Sequence, residues 1–222
     1  MSNTYVTSCI KNQDKSKYDY EITFSSGLSL GFSDEEVFEH FLYDTDHPIE
    51  DLDSLCIKVL SARARRIMIS YVASTCRSIA QTKQATSEKL KLGYTDNWKI
   101  YIEAAIDKAV VDLMLLGYLD DYDYCRRYIN TTIKVKPASI VMIKHELENV
   151  RGVSSNIVES VLAEYNIDDS VTAYTLLVKK VKSTDDKNKL FGYLMRKGFT
   201  YESVNKAYNR YIDNKNELEQ EE

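Results

Sequence analysis

The chain has 222 residues and a net charge of −5, with 44% hydrophobic and 28% charged residues. Length and composition are those of a soluble globular protein able to bury a core, and the acidic balance argues against tight, autonomous DNA binding, which rests on phosphate contacts. Seven glycines and two prolines leave little turn material, which argues against a many-stranded sandwich or barrel and favours long helices.

No apolar run approaches the roughly 20 residues of a membrane span. The opening residues 1–13 lack the basic-then-apolar order of a signal peptide, so the expected location is the cytoplasm. Cys9, Cys56, Cys76 and Cys125 are scattered, with no C-x-x-C pair, so neither a zinc site nor a functional disulfide is expected.

In chain order, residues 5–10 can form a short strand. Residues 18–24 alternate, with Tyr18, Tyr20, Ile22 and Phe24 on one face and Asp19, Glu21 and Thr23 on the other. A turn at Ser25-Ser26-Gly27 leads to Leu28, Leu30 and Phe32 in the same alternation. This predicts a small β-hairpin, to which 5–10 can add a third strand. Ser33 with Glu36 has the spacing of a capping box, and from there the period is helical.

A second helix is expected to start near His47-Pro48 and run over about 50–73, with Leu60, Ala64, Ile67 and Tyr71 on its stripe. Ser78 with Gln81 predicts another capped helix, ending at Leu92-Gly93. A long helix is expected from Thr95 or Asp96 to Gly117, buried through Ile102, Ile106, Ala109, Leu113 and Leu116, with Trp98 in the core.

Further helices are expected over about 121–134, from Pro137 to Gly152, from Ser154 or Ser155, over about 169–182, from a capping-box variant at 183–186 to Gly198, and from Thr200. Aligning Gly152 with Gly198 superposes Val153 on Phe199 and Val158 on Val204, a repeated hydrophobic staple that Leu119 and Tyr124 share. The expected fold is therefore mainly α: tandem three-helix repeats, helix-turn-helix-like, in an elongated body behind a small N-terminal β-hairpin. The expected divisions are 1–49 (hairpin and capped helix), 50–118, 119–167 and 168–213 (repeats one to three), and 214–222 (a frayed acidic tail).

Charge is uneven. Residues 33–55 carry nine acids and no Lys or Arg, whereas residues 57–91 carry eight bases against one acid, Glu88. Two readings stand open: complementary packing with solvated helix faces, or a basic surface for an acidic partner or nucleic acid. On the second, the candidate partner-binding residues are Arg63, Arg65, Arg66, Arg77, Arg126, Arg127, Arg196 and Lys197.

Three motifs carry a family resemblance. Leu116-Gly-Tyr-Leu-Asp-Asp121 followed by Tyr124-Cys-Arg-Arg-Tyr128, then Glu146-Leu147 with Gly152-Val153, then Leu194-Met-Arg-Lys-Gly-Phe199 resemble, in order and spacing, the three repeats of the RecX recombination regulators. The first repeat departs from that pattern. Val72, Thr75, Ser78, Gln81 and Thr82 stand where the family shows leucine, arginine, serine, glutamate and leucine. The resemblance covers about residues 50–212. It implies a regulator that binds the RecA recombinase and its filament on single-stranded DNA, suppresses ATP hydrolysis and strand exchange, and acts in recombination, repair and the SOS response.

No phosphate loop, dinucleotide turn or nucleophile elbow occurs. His40, His47 and His145 lack metal-ligand spacing, and Asp120-Asp121 fit helix capping better than acid–base work. A monomeric non-enzyme without metal or cofactor is expected, with at most weak direct DNA contact. The alternative is a helix-turn-helix DNA-binding regulator. Against it, residues 157–165 carry Glu159 and Glu164 and no base.

Overall fold

The structure, a computed structural model, describes residues 4–13, 18–45, 48–93 and 96–220. It divides into two compact units, Met1–Leu119 and Asp120–Glu222.

The first unit opens with strands β1 (Thr4–Lys11), β2 (Tyr20–Phe24) and β3 (Ser29–Phe32), all antiparallel to their neighbours. Ile22 stands opposite Cys9 and Leu30, and Tyr20 opposite Lys11 and Phe32. Ile22, Phe24, Leu30 and Phe32 are buried, as their alternation requires. Tyr18 does not continue that face. Its ring lies over Gly31, whose missing Cβ would point away from Leu30 and Phe32.

Helix α1 (Asp34–Glu39) has the capping box its sequence predicts: Glu36 N–H donates to Ser33 Oγ and Ser33 N–H to Glu36 Oε2. Pro48 does not start a helix. With Ile49 it forms β4, which pairs with Thr4 and Tyr5 and makes the sheet order β3-β2-β1-β4. Proline suits this place, because a short edge strand has no further neighbour needing its N–H. His47 lies outside the described residues.

Helix α2 (Leu52–Ala73) is capped by Asp51, whose side chain accepts from Ser54 N–H. Its deepest stripe is Cys56, Leu60, Ala64 and Met68, while Ile67 and Tyr71 lie at its margin. Helix α3 (Ile79–Gly93) has the predicted box between Ser78 and Gln81. Its inward stripe runs through Thr82, Thr86 and Leu90, and the hydroxyls of the two buried threonines donate to the carbonyls of Ser78 and Thr82. Such back-bonding satisfies a buried hydroxyl without a partner helix.

The long helix expected after Gly93 is broken into α4 (Asp96–Lys99) and α5 (Ile102–Leu115); Thr95 lies outside the described residues. The break turns both Trp98 and Tyr101 inward. Trp98 meets Phe32 edge-on at 5.4 Å, and Tyr101 OH donates to Asp53 Oδ1 at 2.8 Å. Ile102, Ile106, Ala109 and Leu113 are buried as expected, but Leu116 is an exposed C-cap, one position past the last inward turn. Sheet and helices share one hydrophobic core, so the strands are not a separate body.

The second unit holds two cores. The first gathers Tyr124, Cys125 and Ile129 of α6 (Asp121–Val135), Ile143 of α7 (Ile140–His145), Leu147, Val153, and Val158 and Val161 of α8 (Ser155–Leu162). The second gathers Ala173 and Leu177 of α9 (Asp169–Val181), Leu194 of α10 (Lys187–Arg196), Phe199, and Val204 and Ala207 of α11 (Tyr201–Gln220). Both staples, Val153 with Val158 and Phe199 with Val204, are buried.

Four expectations are corrected here. Pro137 stands two residues ahead of the N-cap, which is Ser139. The helix from Ile140 does not stay α to Gly152 but widens into a π turn over Glu146–Val150. The segment 183–186 is not a capping-box variant: Asp186 alone caps α10, accepting from Asn188 and Lys189 N–H, because Lys189 occupies the position a box needs for Glu or Gln. The tail is helical through Gln220, held in part by Asn214 Nδ2 donating to Tyr174 OH at 2.9 Å.

Two bonds tie these cores together. Ser139 Oγ caps α7 and donates to the Lys197 carbonyl at 2.8 Å, and Ile140 N–H donates to Asp169 Oδ1 at 3.1 Å. Gly198 sits against this junction at φ +80°, and a Cβ there would fall 2.7 Å from Ser139 Oγ. Both the left-handed backbone and the close approach demand glycine.

Candidate partner-binding surface

The eight candidate bases fall into four environments. Arg63 is not at the surface. Its guanidinium donates to both carboxylate oxygens of Glu36 and to the Gly31 carbonyl at 3.0 Å, and it stacks 4.9 Å from the centre of the Trp98 ring. Burial pushes the Glu36 carboxyl up, but the bonds from Arg63 and Ser33 outweigh it and hold it below the usual carboxylate range. This arginine knits α1, α2 and β3, so the structure removes it from the contact set.

Arg65, Arg66, Arg126 and Arg127 are at the surface but engaged. Arg65 bonds Asp112 at 2.8 Å, and Arg66 approaches Glu35 at 3.3 Å. Arg126 forks onto Glu164 through bonds of 2.8 and 2.7 Å, joining α6 to the end of α8. Arg127 bonds Asp123 one turn back at 2.7 Å. The Arg126 pair raises its own guanidinium pKa and lowers that of Glu164, each chiefly through the hydrogen bond between them. Arg77, in the α2–α3 loop, lies 5.3 Å from the Tyr71 ring centre.

Arg196 and Lys197, at the end of α10, are exposed and form no ion pair among the described residues. They are therefore the most available cations of the eight. They also close a basic run that sequence reading did not single out: residues 179–197 carry seven bases against Asp185 and Asp186. Two of its lysines lie on rings. Lys187 is 5.3 Å from the Phe191 centre and 4.9 Å from that of Tyr208, and Lys180 is 5.4 Å from Tyr193. The signal was the density of Lys over 179–189; only folding shows that Phe191 and Tyr193 of α10 and Tyr208 of α11 supply the rings.

A cleft of about 520 Å³ between α3 and α5 is lined by Lys83, Lys91 and Lys99 with Glu103 and Asp107. Lys83 is already bonded to Asp107 at 2.6 Å. Burial pushes the Cys56 thiol up to about 12 and the Cys125 thiol up to about 11, so both are held protonated and are poor nucleophiles. Asp120 caps α6, accepting from Tyr122 and Asp123 N–H. Among the described residues, no group of three or more His, Cys, Asp or Glu could hold a metal ion, and no helix is long and apolar enough to cross a membrane.

The class these features define is a mainly helical protein of repeated three-helix units with an N-terminal antiparallel sheet, presenting charged helix surfaces. Within that class, the chain is similar to RecX regulatory proteins. It is 27% identical over 168 residues to "Regulatory protein RecX" of Leuconostoc citreum, covering 72% of this chain but only 59% of that protein. It is 26% identical over 215 residues to the protein of the same name from Finegoldia magna, covering 90% of this chain and 96% of that one. A crystal structure of regulatory protein RecX shares the fold, with a TM-score of 0.58 at 16% identity over 93% of this chain and 99% of the other. No family model matches the chain.

The motifs that carry the resemblance have structural roles here. Leu116–Asp121 is a helix end followed at once by an N-cap, and Leu194–Phe199 is a helix end closed by Gly198. Glu146-Leu147 opens the π turn that Gly152 closes, and Arg151 folds back to bond Glu146 at 2.8 Å.

Proposed function

We propose that this chain is a regulator that binds the RecA recombinase and its filament on single-stranded DNA and inhibits ATP hydrolysis and strand exchange, in recombination and DNA repair in the cytoplasm. The observation that carries the reading is the near end-to-end similarity to the Finegoldia RecX protein, with the three repeat motifs in order. The protein acts by contact, as a monomer without cofactor. Arg65, Arg66, Arg77, Arg126, Arg127, Arg196 and Lys197 are spread over all three repeats (50–118, 119–167 and 168–213), so weak contacts can add as a linked set. Exposed charges of this kind act mainly on association rate and salt dependence.

The test is ATP hydrolysis by the RecA of the same cell on single-stranded DNA, with and without this chain. Hydrolysis should fall with added protein. The double variant Arg196→Glu, Lys197→Glu should inhibit less, most clearly at low ionic strength, where charge is least screened. It is a cleaner variant than Arg126→Glu, which would also set a carboxylate against Glu164. Hydrolysis unaffected at saturating protein, together with tight binding to free duplex DNA, would favour the helix-turn-helix alternative.

A further inference from the structure

Helix α1 ends in an arrangement the chain also uses at Gly117 and Gly198. The residue at the turn donates its N–H three residues back, and the next residue donates five back. These pairs are Gly117 to Met114 and Tyr118 to Leu113, Gly198 to Met195 and Phe199 to Leu194, and Phe41 to Phe38 and Leu42 to Val37. The turn residue must be left-handed, and glycine is the usual choice. At α1 the residue is Phe41, at φ +53°. The flanking Leu42 and Val37 are buried, which closes the motif hydrophobically, but Phe41 is 53% exposed. Core burial therefore gives little reason for a bulky side chain in a conformation that disfavours one.

The ring stands in company. Phe38 and Tyr43 are 60% and 50% exposed, and Tyr43 contacts both phenylalanines, at 5.6 and 6.2 Å between ring centres. Three touching rings, each at least half open to water, form an apolar patch of the kind that marks a contact site. Phe41 also borders a cleft of about 370 Å³ that holds Glu39, Glu50 and Asp51. Two bases line it with them, His40 and Lys58, each 3.9 Å from Glu39, while Glu50 has no base at this distance among the described residues. The surrounding stretch, residues 33–55, has nine acids and no Lys or Arg.

We propose that the Phe38–Phe41–Tyr43 patch and its carboxylate rim dock an arginine-bearing basic peptide segment of a partner protein. Open aromatic faces beside carboxylates match the guanidinium, which stacks flat on rings and forks onto carboxylates, whereas an ammonium does only the weaker part of this. The same acids repel nucleic acid. The inference does not rest on the RecA reading.

The test is fluorescence anisotropy of the full chain with three labelled decapeptides, alternating Gly-Arg, Gly-Lys and Gly-Glu. The arginine peptide should bind about fivefold or more tighter than the lysine peptide, as cation–ring stacking predicts, and the glutamate peptide should not bind. Phe41→Gly should weaken arginine-peptide binding several-fold while raising the melting temperature, because it relieves the left-handed strain; a purely structural residue would not give that opposed pair of changes. Tyr43→Ala and Glu50→Gln should weaken binding as well. Equal affinity for the arginine and lysine peptides with Phe41→Gly unaffected, or no binding, would overturn the proposal. So would a dimer of the chain that Phe41→Gly dissociates, which would make a second copy the occupant.

Discussion

Two arginine–glutamate pairs, one in each unit, join helices by bidentate bonds yet differ in setting. Arg63 and Glu36 are 10% and 8% exposed, whereas Arg126 and Glu164 are 45% and 42% exposed. In the first unit the pair sits beneath the sheet edge, against Trp98, with the Ser33 N–H completing the carboxylate. Neither charge can recover its hydration if the other is lost. In the second unit water replaces a lost partner at once. The same chemistry is thus architecture in one place and an adjustable surface feature in the other.

The largest expected effect is from breaking the buried pair. Arg63→Ala leaves Glu36 buried and uncompensated and should destabilise the protein by about 3–5 kcal/mol in urea unfolding. The effect should depend on pH. Because the folded pKa of Glu36 is lowered, its stabilising contribution is full above the unfolded value of about 4.3 and is lost as pH falls through the folded value. Wild-type stability should therefore decline in that window, and Glu36→Gln, already weaker at neutral pH, should decline less. An Arg63→Ala protein as stable as wild type at pH 7 would break the contrast between the two pairs.

An intermediate effect is expected at the repeat junction. Gly198→Ala adds both left-handed strain and a Cβ 2.7 Å from Ser139 Oγ and 3.1 Å from Met142 Cγ. Gly117→Ala adds the strain alone, since nothing lies within 4 Å of its Cβ position. The strain costs about 1–2 kcal/mol at either site. Gly198→Ala should be the more destabilising of the two in paired melting curves, and Ser139→Ala should recover part of the difference. Equal losses would show that the junction relaxes around a methyl group.

The smallest expected effect is Arg126→Ala, whose melting curve should overlay that of wild type. A clear loss of stability there would mean that the α6–α8 pair is structural after all, and the exposed pair would then belong with the buried one.

Much of the fold was legible because it is written in local signals. Ser33, Ser78 and Asp120 cap helices from their own sequence neighbourhoods, and Gly117, Gly152 and Gly198 all take positive φ. Asp120 and the three glycines also stand in the motifs that resemble RecX proteins, so that resemblance could be read without knowing any contact. Some misreadings were local, as at Pro137 and Lys189, where the cap lies a few residues from the expected one; others arose where distant residues decide. Pro48 pairs with Tyr5, Trp98 is drawn to Phe32, and Asn214 bonds Tyr174; no periodicity within one segment encodes these meetings.

The candidate surface divides in the same way. Sequence alone determined that Arg63 and Arg126 are charged residues on helices, because residue type and helical spacing fix that much. Only the tertiary structure decided that Arg63 is neutralised inside by Glu36, 27 positions away, while Arg196 and Lys197 stay open to solvent. The physical reason is that the worth of a charge depends on its dielectric surroundings and on its partner. Both are set by which helices pack together, and that is a property of the whole chain.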